Sequence, residues 1–416
     1  GAGDVNADGY SDVIVGAYGS NSNTGKAYVF YGGASMNNIA DVTMTGETSQ
    51  SYFGSSVSGA GDVNGDGYQD VICGAYGYNS DFGRAYIYFG SVTMDNVADV
   101  SMYGGAFLDY FGASVSNAGD VNDDGYSDVI VGAYGYNSLT GRAYIFYGGA
   151  SMNSIPDVTM TGETTNNVFG YSVSEAGDVN GDGFADVYVG AYGYSSSKGR
   201  AYLYYGGTNM NNAVDIFMTG EDTFSYFGYS VSGGGDVNGD GFADLIAGAY
   251  GFNSSIGRAY VYTNTMTGED IPDVTMTGGS NKSFGASVSN AGDVNHDGFN
   301  DVIVGEPGIN GAYIFYGGEI VNNVADVILA GESIDTSFGA SVSTAGDING
   351  DGYSDVIICS YKGGSAKIYF GGSNMNNVPD VLMTNDNGRI VSDAGDVNGD
   401  GYSDVMVSRP ENSNRR

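Results

Sequence analysis

Segments that alternate small and apolar residues, followed by short continuous apolar runs, recur along the whole chain and predict β-strands. Within residues 111–168, the alternation at 111–116 is typical of a strand, and the apolar run at 129–133 is typical of a strand covered on both faces. Two later segments, 142–147 and 157–161, have the β-branched and aromatic composition of strands. Because no segment shows the 3.6-residue period of an amphipathic helix, the pattern predicts four short antiparallel strands per unit.

Between the first two predicted strands lies a nine-residue loop with oxygen-bearing side chains at alternate positions. In the second unit it is DVNGDGYQD, residues 62–70. Positions one, three, five and nine offer side-chain oxygens, position seven offers its carbonyl, and Gly67 permits the positive φ that turns the chain. The loop resembles the start of an EF-hand loop, but Cys73 stands where that loop has glutamate, and the flanks predict strands. We therefore expect a calcium loop set between strands.

The loop occurs eight times, at residues 4–12, 62–70, 120–128, 178–186, 236–244, 293–301, 347–355 and 396–404. A single copy is also compatible with an ordinary Asx turn, but eight copies in register with a long repeat favour binding of up to eight Ca²⁺ ions. The predicted ligands are Asp4, Asn6, Asp8, Tyr10, Asp12, Asp62, Asn64, Asp66, Tyr68, Asp70, Asp120, Asn122, Asp124, Tyr126, Asp128, Asp178, Asn180, Asp182, Phe184, Asp186, Asp236, Asn238, Asp240, Phe242, Asp244, Asp293, Asn295, Asp297, Phe299, Asp301, Asp347, Asn349, Asp351, Tyr353, Asp355, Asp396, Asn398, Asp400, Tyr402 and Asp404.

The charge distribution agrees with metal loops and excludes some partners. The formal net charge is −36, and the three aspartate ligands of each loop account for 24 of the 49 acidic residues. Without a cation these carboxylates repel one another. An acidic surface argues against nucleic acid as a partner, and no apolar run reaches membrane-spanning length. Cys73 and Cys359 fall in equivalent parts of distant repeats and are predicted to be buried free thiols.

The combination of a Phe-Gly pair, the acidic loop and a Gly-Ala pair resembles the FG-GAP repeat. Phe-Gly stands at residues 53–54, 111–112, 169–170, 227–228, 284–285 and 338–339, and residues 305–307 keep the proline of the motif. Such repeats build the β-propeller at the head of integrin α subunits and many microbial surface proteins. The resemblance implies an all-β fold, a single propeller of four-stranded antiparallel blades over residues 1–416, calcium between the first two strands of a blade, and a ligand on the opposite face.

The number of blades follows less directly from the pattern. The predicted strands number 29, with three in the first repeat, four in each of the next six and two in the last. Seven blades are favoured, with residues 388–392 serving as the inner strand of the first repeat. Eight blades, or part of a longer tandem array, are the alternatives. The chain begins inside a repeat without Met, which suggests a processed product or a piece of a longer protein.

Aromatic residues in the loops between the second and third strands are the candidate ligand contacts. We expect Tyr78, Tyr136, Tyr194 and Phe252 to be exposed and to bind protein or carbohydrate, with packing between blades as the alternative. The arginines that begin the third strands, Arg84, Arg142, Arg200 and Arg258, are expected to pair with neighbouring carboxylates.

No catalytic motif accompanies these features, and the single histidine, His296, lies at a variable loop position. The sequence therefore predicts a calcium-stabilised, non-enzymatic binding or adhesion propeller in an extracellular or cell-surface setting, including the option of a subunit of a surface assembly. An accessory propeller of a larger secreted enzyme and a structural filament subunit are the alternatives.

Overall fold

The computed structural model of the chain describes residues 1–34, 39–263, 271–279, 282–332, 336–362, 365–383 and 390–408. These residues form 29 strands in eight antiparallel sheets. The strands are β1 (Val13–Ala17), β2 (Lys26–Phe30) and β3 (Val42–Thr45) in the first sheet; β4 (Val57–Gly61), β5 (Asp70–Ala75), β6 (Arg84–Tyr88) and β7 (Val100–Tyr103); β8 (Ser114–Gly119), β9 (Asp128–Ala133), β10 (Arg142–Phe146) and β11 (Val158–Thr161); β12 (Ser172–Gly177), β13 (Asp186–Ala191), β14 (Arg200–Tyr204) and β15 (Ile216–Thr219); β16 (Val231–Gly235), β17 (Asp244–Ala249), β18 (Arg258–Tyr262) and β19 (Val274–Thr277); β20 (Ser287–Gly292), β21 (Asp301–Glu306), β22 (Gly311–Phe315) and β23 (Val327–Ala330); β24 (Thr336–Gly346), β25 (Asp355–Lys362), β26 (Ala366–Tyr369) and β27 (Val381–Met383); and β28 (Ile390–Gly395) with β29 (Asp404–Ser408) in the last.

The strands of each complete sheet are paired in chain order, from a first or inner strand to an outer fourth strand. The inner strands β4, β8, β12, β16, β20, β24 and β28 contact one another in succession, and the last sheet contacts the first through β29 and β1. This arrangement is the predicted β-propeller. Its eight sheets correspond to seven to eight blades, because the first sheet lacks one strand and the last lacks two.

A chain of backbone hydrogen bonds links the eight acidic loops. The N–H at the eighth position of each loop donates to the carbonyl oxygen of the first aspartate in the preceding loop, as Ser127 N–H does to Asp62 at 3.1 Å. The ring is completed by Ser11, whose N–H donates to the Asp396 carbonyl at 3.0 Å. The closure expected through residues 388–392 is wrong, because β28 pairs with β29 of its own repeat. Residues 388 and 389 lie outside the described residues.

The second strands of five sheets are buried along their whole length, as the continuous apolar runs predict. Every residue of β5, β9, β13, β17 and β21 is buried. Each sheet alone is too thin to enclose a core, so adjacent sheets share one: Phe111, Val129 and Tyr144 belong to the same cluster as Ile72 and Ile87 of the preceding sheet. Cys73 and Cys359 are free thiols inside these clusters, which confirms the prediction.

The Phe-Gly pair and the glycine of the second strand form one contact between neighbouring blades. Phe111 is buried against Tyr144 and Phe146. Gly112 has a positive φ of 83°, and its carbonyl oxygen lies where a side chain on Gly74 of the preceding blade would be. The pair stands just before the strand, since β8 begins at Ser114 rather than at residue 111. The two backbones lie so close together at this contact that only glycine fits there, which explains the glycines of the motif.

The connections between second and third strands are short turns. Four-residue turns at Ser20–Asn23, Tyr78–Asp81, Tyr136–Leu139, Tyr194–Ser197 and Phe252–Ser255 each contain residues of positive φ, and a 3₁₀ turn covers Pro307–Ile309. In the described part of the chain, none of these helical segments has the length and apolar character needed to cross a bilayer.

We predict that Gly132→Ala lowers the thermal midpoint strongly, whereas Gly279→Ala leaves it nearly unchanged. A methyl group on Gly132 would collide with the carbonyl oxygen of Gly170 in the next blade, while a methyl group on Gly279 would meet nothing within 4 Å. Overpacking of this kind costs about 1–3 kcal/mol or more. Calorimetry of the two variants measures the difference, and equal midpoints would contradict the proposed interblade contact.

Candidate functional site

The acidic loops gather their oxygens by hydrogen bonds to the loop's own backbone. In the loop at residues 62–70, the N–H of Asp66 is shared by Oδ1 of Asp62 at 3.1 Å and Oδ1 of Asn64 at 2.9 Å. The N–H of Gly67 donates to Oδ2 of Asp62 at 2.9 Å. The same three bonds occur in all eight loops. Positions one and three therefore present adjacent oxygens on one side of the loop.

The aspartate at position nine is buried and ties three segments together. Oδ2 of Asp70 accepts the N–H of Val63 in the loop at 2.8 Å, and Oδ1 accepts the N–H of Gly90, in the turn after the third strand, at 2.8 Å. Burial raises the pKa of Asp70 to about 7 despite these bonds, and the charges of Asp66 and Asp62 raise it further. The ionised carboxylate of Asp70 is therefore not compensated by a positive charge.

The other repeats show the same electrostatic pattern. Burial raises the pKa to about 7 for Asp128, Asp186, Asp244 and Asp301, and to about 6 for Asp12 and Asp355. For Asp404 the pKa is raised, again by burial. An oxygen-rich loop beside a buried, uncompensated carboxylate fits a hard divalent cation, which would favour the ionised form.

The carboxylates of a loop are, however, engaged with one another and with backbone donors. Among the described residues, no three acidic, histidine or cysteine side chains converge closely enough to hold an ion. Oδ2 of Asp66 accepts a hydrogen bond from the amide of Asn64 at 2.9 Å, and both oxygens of Asp70 accept backbone N–H groups. A cation would compete with these internal bonds for the oxygens of Asp62, Asn64 and Asp66.

The aromatic side chain at position seven has a role that the sequence analysis missed. The ring of Tyr126 lies over Gly65 of the preceding loop, so closely that a side chain on Gly65 would collide with it. His296 takes the same place as Gly65 in its repeat and contacts the ring of Tyr353 at a centroid distance of 5.5 Å. All eight loops have Tyr or Phe at position seven. That regularity was the available signal for contacts between successive loops.

At the opposite end of the blades, tyrosines form a continuous aromatic chain. Successive ring centroids lie 4.6–6.4 Å apart, and three pairs are stacked. We call these ten residues the tyrosine face: Tyr18, Tyr52, Tyr76, Tyr110, Tyr134, Tyr171, Tyr192, Tyr226, Tyr229 and Tyr250. They come from the loops after the second and fourth strands and from the start of the inner strands. A depression of about 450 Å³ is lined by Tyr18, Tyr76, Tyr134 and Tyr171 of this face.

Most rings of the tyrosine face are partly buried, and burial affects the ionisation of several of their phenol groups. Burial raises the pKa of Tyr76, Tyr134 and Tyr250 to about 12. The hydroxyl groups of Tyr171 and Tyr229 lie 3.3 Å apart. The face therefore offers stacked rings together with neutral hydroxyl donors and acceptors, which suits a sugar ring or an aromatic protein side chain.

The four residues predicted as exposed ligand contacts are not exposed. Tyr78, Tyr136 and Tyr194 are half-buried, and Phe252 is buried at 8% exposure, so Phe252 is corrected to a packing residue. The arginine that begins the next strand stacks its guanidinium group on each ring, 3.6–4.0 Å from the ring centroid. Cation–π stacking accounts for this arrangement. Tyr78, Tyr136 and Tyr194 stay as predicted ligand contacts only through their remaining exposed edges.

The expected arginine–carboxylate pairs occur where the sequence supplies both partners. Arg84, Arg200 and Arg258 pair with Glu47, Glu163 and Glu221 of the preceding blade. For Arg142, the equivalent position of the preceding blade holds Gly105 instead of a glutamate. Arg142 instead donates to Thr161 Oγ1 at 3.1 Å and lies against Tyr136.

The groups that carry nucleophilic chemistry in other proteins are buried or isolated here. His296 is exposed on an acidic loop against Tyr353. Cys73 and Cys359 are fully buried, and burial raises the pKa of both thiols, that of Cys359 to about 12. A thiol with so high a pKa is a poor nucleophile at neutral pH.

Comparison with known proteins finds the same repeat along most of the chain. The family model described as "FG-GAP repeat" matches residues 1–30, 53–88, 111–146, 169–204 and 227–262, and the one described as "FG-GAP-like repeat" matches residues 293–358 and 347–407. The chain is 32% identical to integrin alpha-5 of Xenopus laevis over 234 residues, which is 51% of this chain and 22% of that protein. It is 37% identical to integrin alpha-7 of Rattus norvegicus over 154 residues, which is 35% of this chain and 13% of that protein. The chain thus spans about a fifth or less of the length of these relatives.

Solved structures share the architecture at low sequence identity. The Dos1 propeller matches with a TM-score of 0.55 and 10% identity over 95% of this chain and 87% of that chain. Sqt1 of Chaetomium thermophilum, in its structure bound to the N-terminus of ribosomal protein L10, matches with a TM-score of 0.53 and 10% identity over 81% of this chain and 76% of that chain. These matches show the propeller fold alone.

In calcium-free buffer, the free energy of unfolding should fall as the pH rises from about 4 to about 7. The carboxyl groups of Asp70, Asp128 and their equivalents have a pKa of about 6 to 7 in the folded chain, against about 3.9 when unfolded. The folded state therefore binds more protons in this window and loses stability as they dissociate.

Urea unfolding between pH 5 and pH 7.5, with chelator or with saturating calcium, measures this dependence. Calcium should flatten the curve, because a cation stabilises the ionised carboxylates. A stability that rises with pH in chelator would contradict the electrostatic account of position nine.

Proposed function

Because the chain belongs to the FG-GAP repeat family, we propose that it is a calcium-stabilised, non-enzymatic adhesion propeller that binds a protein or carbohydrate ligand through its tyrosine face. The observation that carries the proposal is the continuous chain of ten tyrosine rings from Tyr18 to Tyr250. Similarity to integrin α subunits supports an adhesive role in an extracellular or cell-surface setting. That similarity covers 22% of integrin alpha-5 and 13% of integrin alpha-7.

The tyrosine face is suited to binding because its rings are held in place before a ligand arrives. Tyr52 and Tyr76 are stacked at 4.9 Å and 7° between planes, and Tyr226 and Tyr250 at 4.9 Å and 3°. Rings fixed by their neighbours lose little conformational freedom on binding, so more of the contact energy appears as affinity. The face follows an arc over the first five repeats, which suits a partner longer than a single sugar ring.

Calcium has a structural role in this proposal. The ligands proposed for each loop are the oxygens at positions one, three, five and nine and the carbonyl at position seven, as in Asp62, Asn64, Asp66, Tyr68 and Asp70. A cation bound there would supply the positive charge that the buried carboxylate of Asp70 lacks. Because the loops are hydrogen-bonded to one another around the ring, calcium at one loop also supports the next.

Self-assembly is a second candidate, favoured by a repeated exposed aliphatic residue. The turns after the third strands present Val97, Ile155, Val324 and Val378 at 66%, 72%, 69% and 63% exposure. These turns lie at the same end of the blades as the acidic loops. Sedimentation of the wild type beside a variant with all four residues changed to Ser separates this candidate from ligand binding by the tyrosine face.

We predict that chelation lowers the thermal midpoint by at least about 10 °C. A cation that binds the folded state at 100 times its Kd contributes about 2.7 kcal/mol per site, and several sites add. Melting in EDTA, after dialysis and after calcium is restored, measures the effect. An unchanged midpoint, with metal absence verified by elemental analysis, would overturn the calcium assignment.

We predict that Tyr76→Ser combined with Tyr134→Ser weakens ligand binding at least tenfold, since aromatic anchors dominate such interfaces. Ile328→Ser is the control, because Ile328 is 54% exposed on an outer strand of the sixth sheet, which contributes no residue to the tyrosine face. Glycan arrays and panels of extracellular-matrix proteins identify the ligand with the wild type, and titration compares the variants. Equal binding by both variants, with calcium-dependent melting preserved, would place the ligand elsewhere.

A further inference from the structure

The third repeat keeps an arginine but lacks the glutamate with which the equivalent arginines pair. Arg84, Arg200 and Arg258 each contact a glutamate of the preceding blade that stands 37 residues earlier. The residue at that distance before Arg142 is Gly105. Among the described residues, no carboxylate oxygen lies within 4.0 Å of the Arg142 guanidinium group. The ion pair between blades therefore lacks its acidic half here.

Arg142 is nevertheless held in the same way as the paired arginines. Its Nε–H donates to Oγ1 of Thr161 at 3.1 Å, as the Nε–H of Arg200 does to Thr219 at 2.9 Å. Its guanidinium group also stacks on Tyr136, 3.6 Å from the ring centroid. Because these contacts orient the group in advance, a carboxylate that binds it loses less free energy to ordering.

The hydroxyl group of Tyr144 is a second donor at this place. The equivalent hydroxyl groups of Tyr86, Tyr202 and Tyr260 lie 2.9–3.3 Å from the glutamate oxygen that the arginine binds. Tyr144 has the same register in its sheet as Tyr202 and is only 7% exposed. The third repeat thus keeps both donors of the site and lacks only the acceptor.

The place of the missing glutamate is open to solvent. A side chain on Gly105 would meet only Oδ2 of Asp109, at the ordinary contact distance of 3.6 Å. In the other repeats the paired glutamates keep 44–48% of their side chains exposed. A carboxylate from outside the chain can therefore reach the position that these glutamates occupy.

Asp109 does not replace the glutamate. Its Oδ2 accepts the N–H of Ala106 at 2.7 Å, the residue is 1% exposed, and it forms no ion pair with Arg142 in the part of the chain that the structure describes. Burial raises the pKa of Asp109, although the charge of Arg142 opposes that shift. The charge of Asp109 therefore acts on Arg142 from a distance and repels a second carboxylate.

The loop that contains Gly105 presents apolar side chains that two equivalent loops lack. Phe107 is 61% exposed and Leu108 is 38% exposed. The same positions hold Ser-Gln at residues 49–50 and Thr-Asn at residues 165–166. An aromatic and an aliphatic side chain next to a cation favour a protein partner over a sugar.

We propose that this place, which we call the Arg142 site, binds an acidic side chain of a protein ligand. The ligand's carboxylate takes the position that Glu163 has in the fourth repeat and accepts hydrogen bonds from Arg142 and Tyr144. An apolar residue next to it in the ligand contacts Phe107 and Leu108.

The Arg142 site adjoins the tyrosine face, so the inference rests on the proposed function and narrows the partner to a protein with an acidic residue. Tyr134 of that face stands two residues before Tyr136. It is stacked at 5.0 Å on Tyr110, the residue that follows Asp109.

The test is an NMR titration of the full chain in calcium with the acetylated and amidated dipeptide Glu-Leu. The dipeptide should shift the Nε–H signal of Arg142 saturably, with a Kd in the millimolar range because a single exposed ion pair is weak. The matching dipeptide Gln-Leu should bind at least tenfold more weakly. The signal is assigned by its loss in Arg142→Gln.

Four variants separate the Arg142 site from general charge effects. Gly105→Glu supplies the carboxylate within the chain and should abolish binding. Gly279→Glu is its matched control, because the arginine position of that repeat holds Gly311. Arg200→Gln removes an arginine that is already paired with Glu163 and should leave binding unchanged. Asp109→Ser removes the repelling charge and should strengthen binding several-fold.

Equal shifts with both dipeptides, undiminished binding in Gly105→Glu, or an equal loss in Gly279→Glu would each overturn the proposal. Tighter binding of glucuronic acid than of Glu-Leu would overturn the assignment to a protein ligand. The two proposals also fail separately. A matrix protein that needs Tyr76 and Tyr134 but binds wild type and Gly105→Glu equally would overturn the Arg142 site and leave the proposed function in place.

Discussion

The carboxylate at position nine, which is buried in seven of the eight acidic loops, is the group on which the blade depends. Asp128 accepts the N–H of Val121 within its loop at 2.9 Å and the N–H of Gly148 beyond the third strand at 2.8 Å. One side chain thus fixes the first hairpin relative to the next turn. The cost is a buried negative charge next to two further carboxylates, which raises the pKa of Asp128 to about 7. A cation that offset this charge would stabilise the same bonds that define the blade, so the proposed metal binding would be linked to folding.

Contacts between blades place a different demand on the sequence, because backbones approach one another directly. Six of the eight second strands have a glycine whose missing side chain leaves room for the carbonyl group of the next Phe-Gly pair, as Gly190 does for Gly228. Glycine also makes room for the next repeat in the acidic loops, where the ring of Phe242 lies over Gly181. Because neighbouring blades lie close together, the space between them holds glycine, small residues and flat aromatic rings. The composition of the chain, with 72 glycines, 35 tyrosines and no tryptophan, agrees with this requirement.

Strands and loops could be predicted from the sequence because they depend on local patterns. The apolar runs, the Phe-Gly pair and the spacing of the loop oxygens act within one repeat, and the strand count of 29 matches the structure. Features that join repeats were missed or wrong. The ring of Tyr126 lies over Gly65 of the preceding loop, and the ring of loops closes through Ser11 and Asp396 at opposite ends of the chain. These residues are far apart in the sequence, so a pattern within one repeat does not show that they are in contact.

The sixth repeat shows how a contact between repeats is kept when its residues change. In the fifth repeat, the hydroxyl of Tyr260 donates to Glu221, which also pairs with Arg258. In the sixth repeat the arginine and glutamate positions hold Gly311 and Gly279. The hydroxyl of Tyr313 then donates to Glu306 at 2.7 Å, a residue of the adjacent strand that stands in place of alanine. Because a buried hydroxyl without a partner costs about 1–3 kcal/mol, an acceptor for the tyrosine stabilises both of these repeats. The carboxylate that accepts comes from the preceding blade in the fifth repeat and from the neighbouring strand in the sixth.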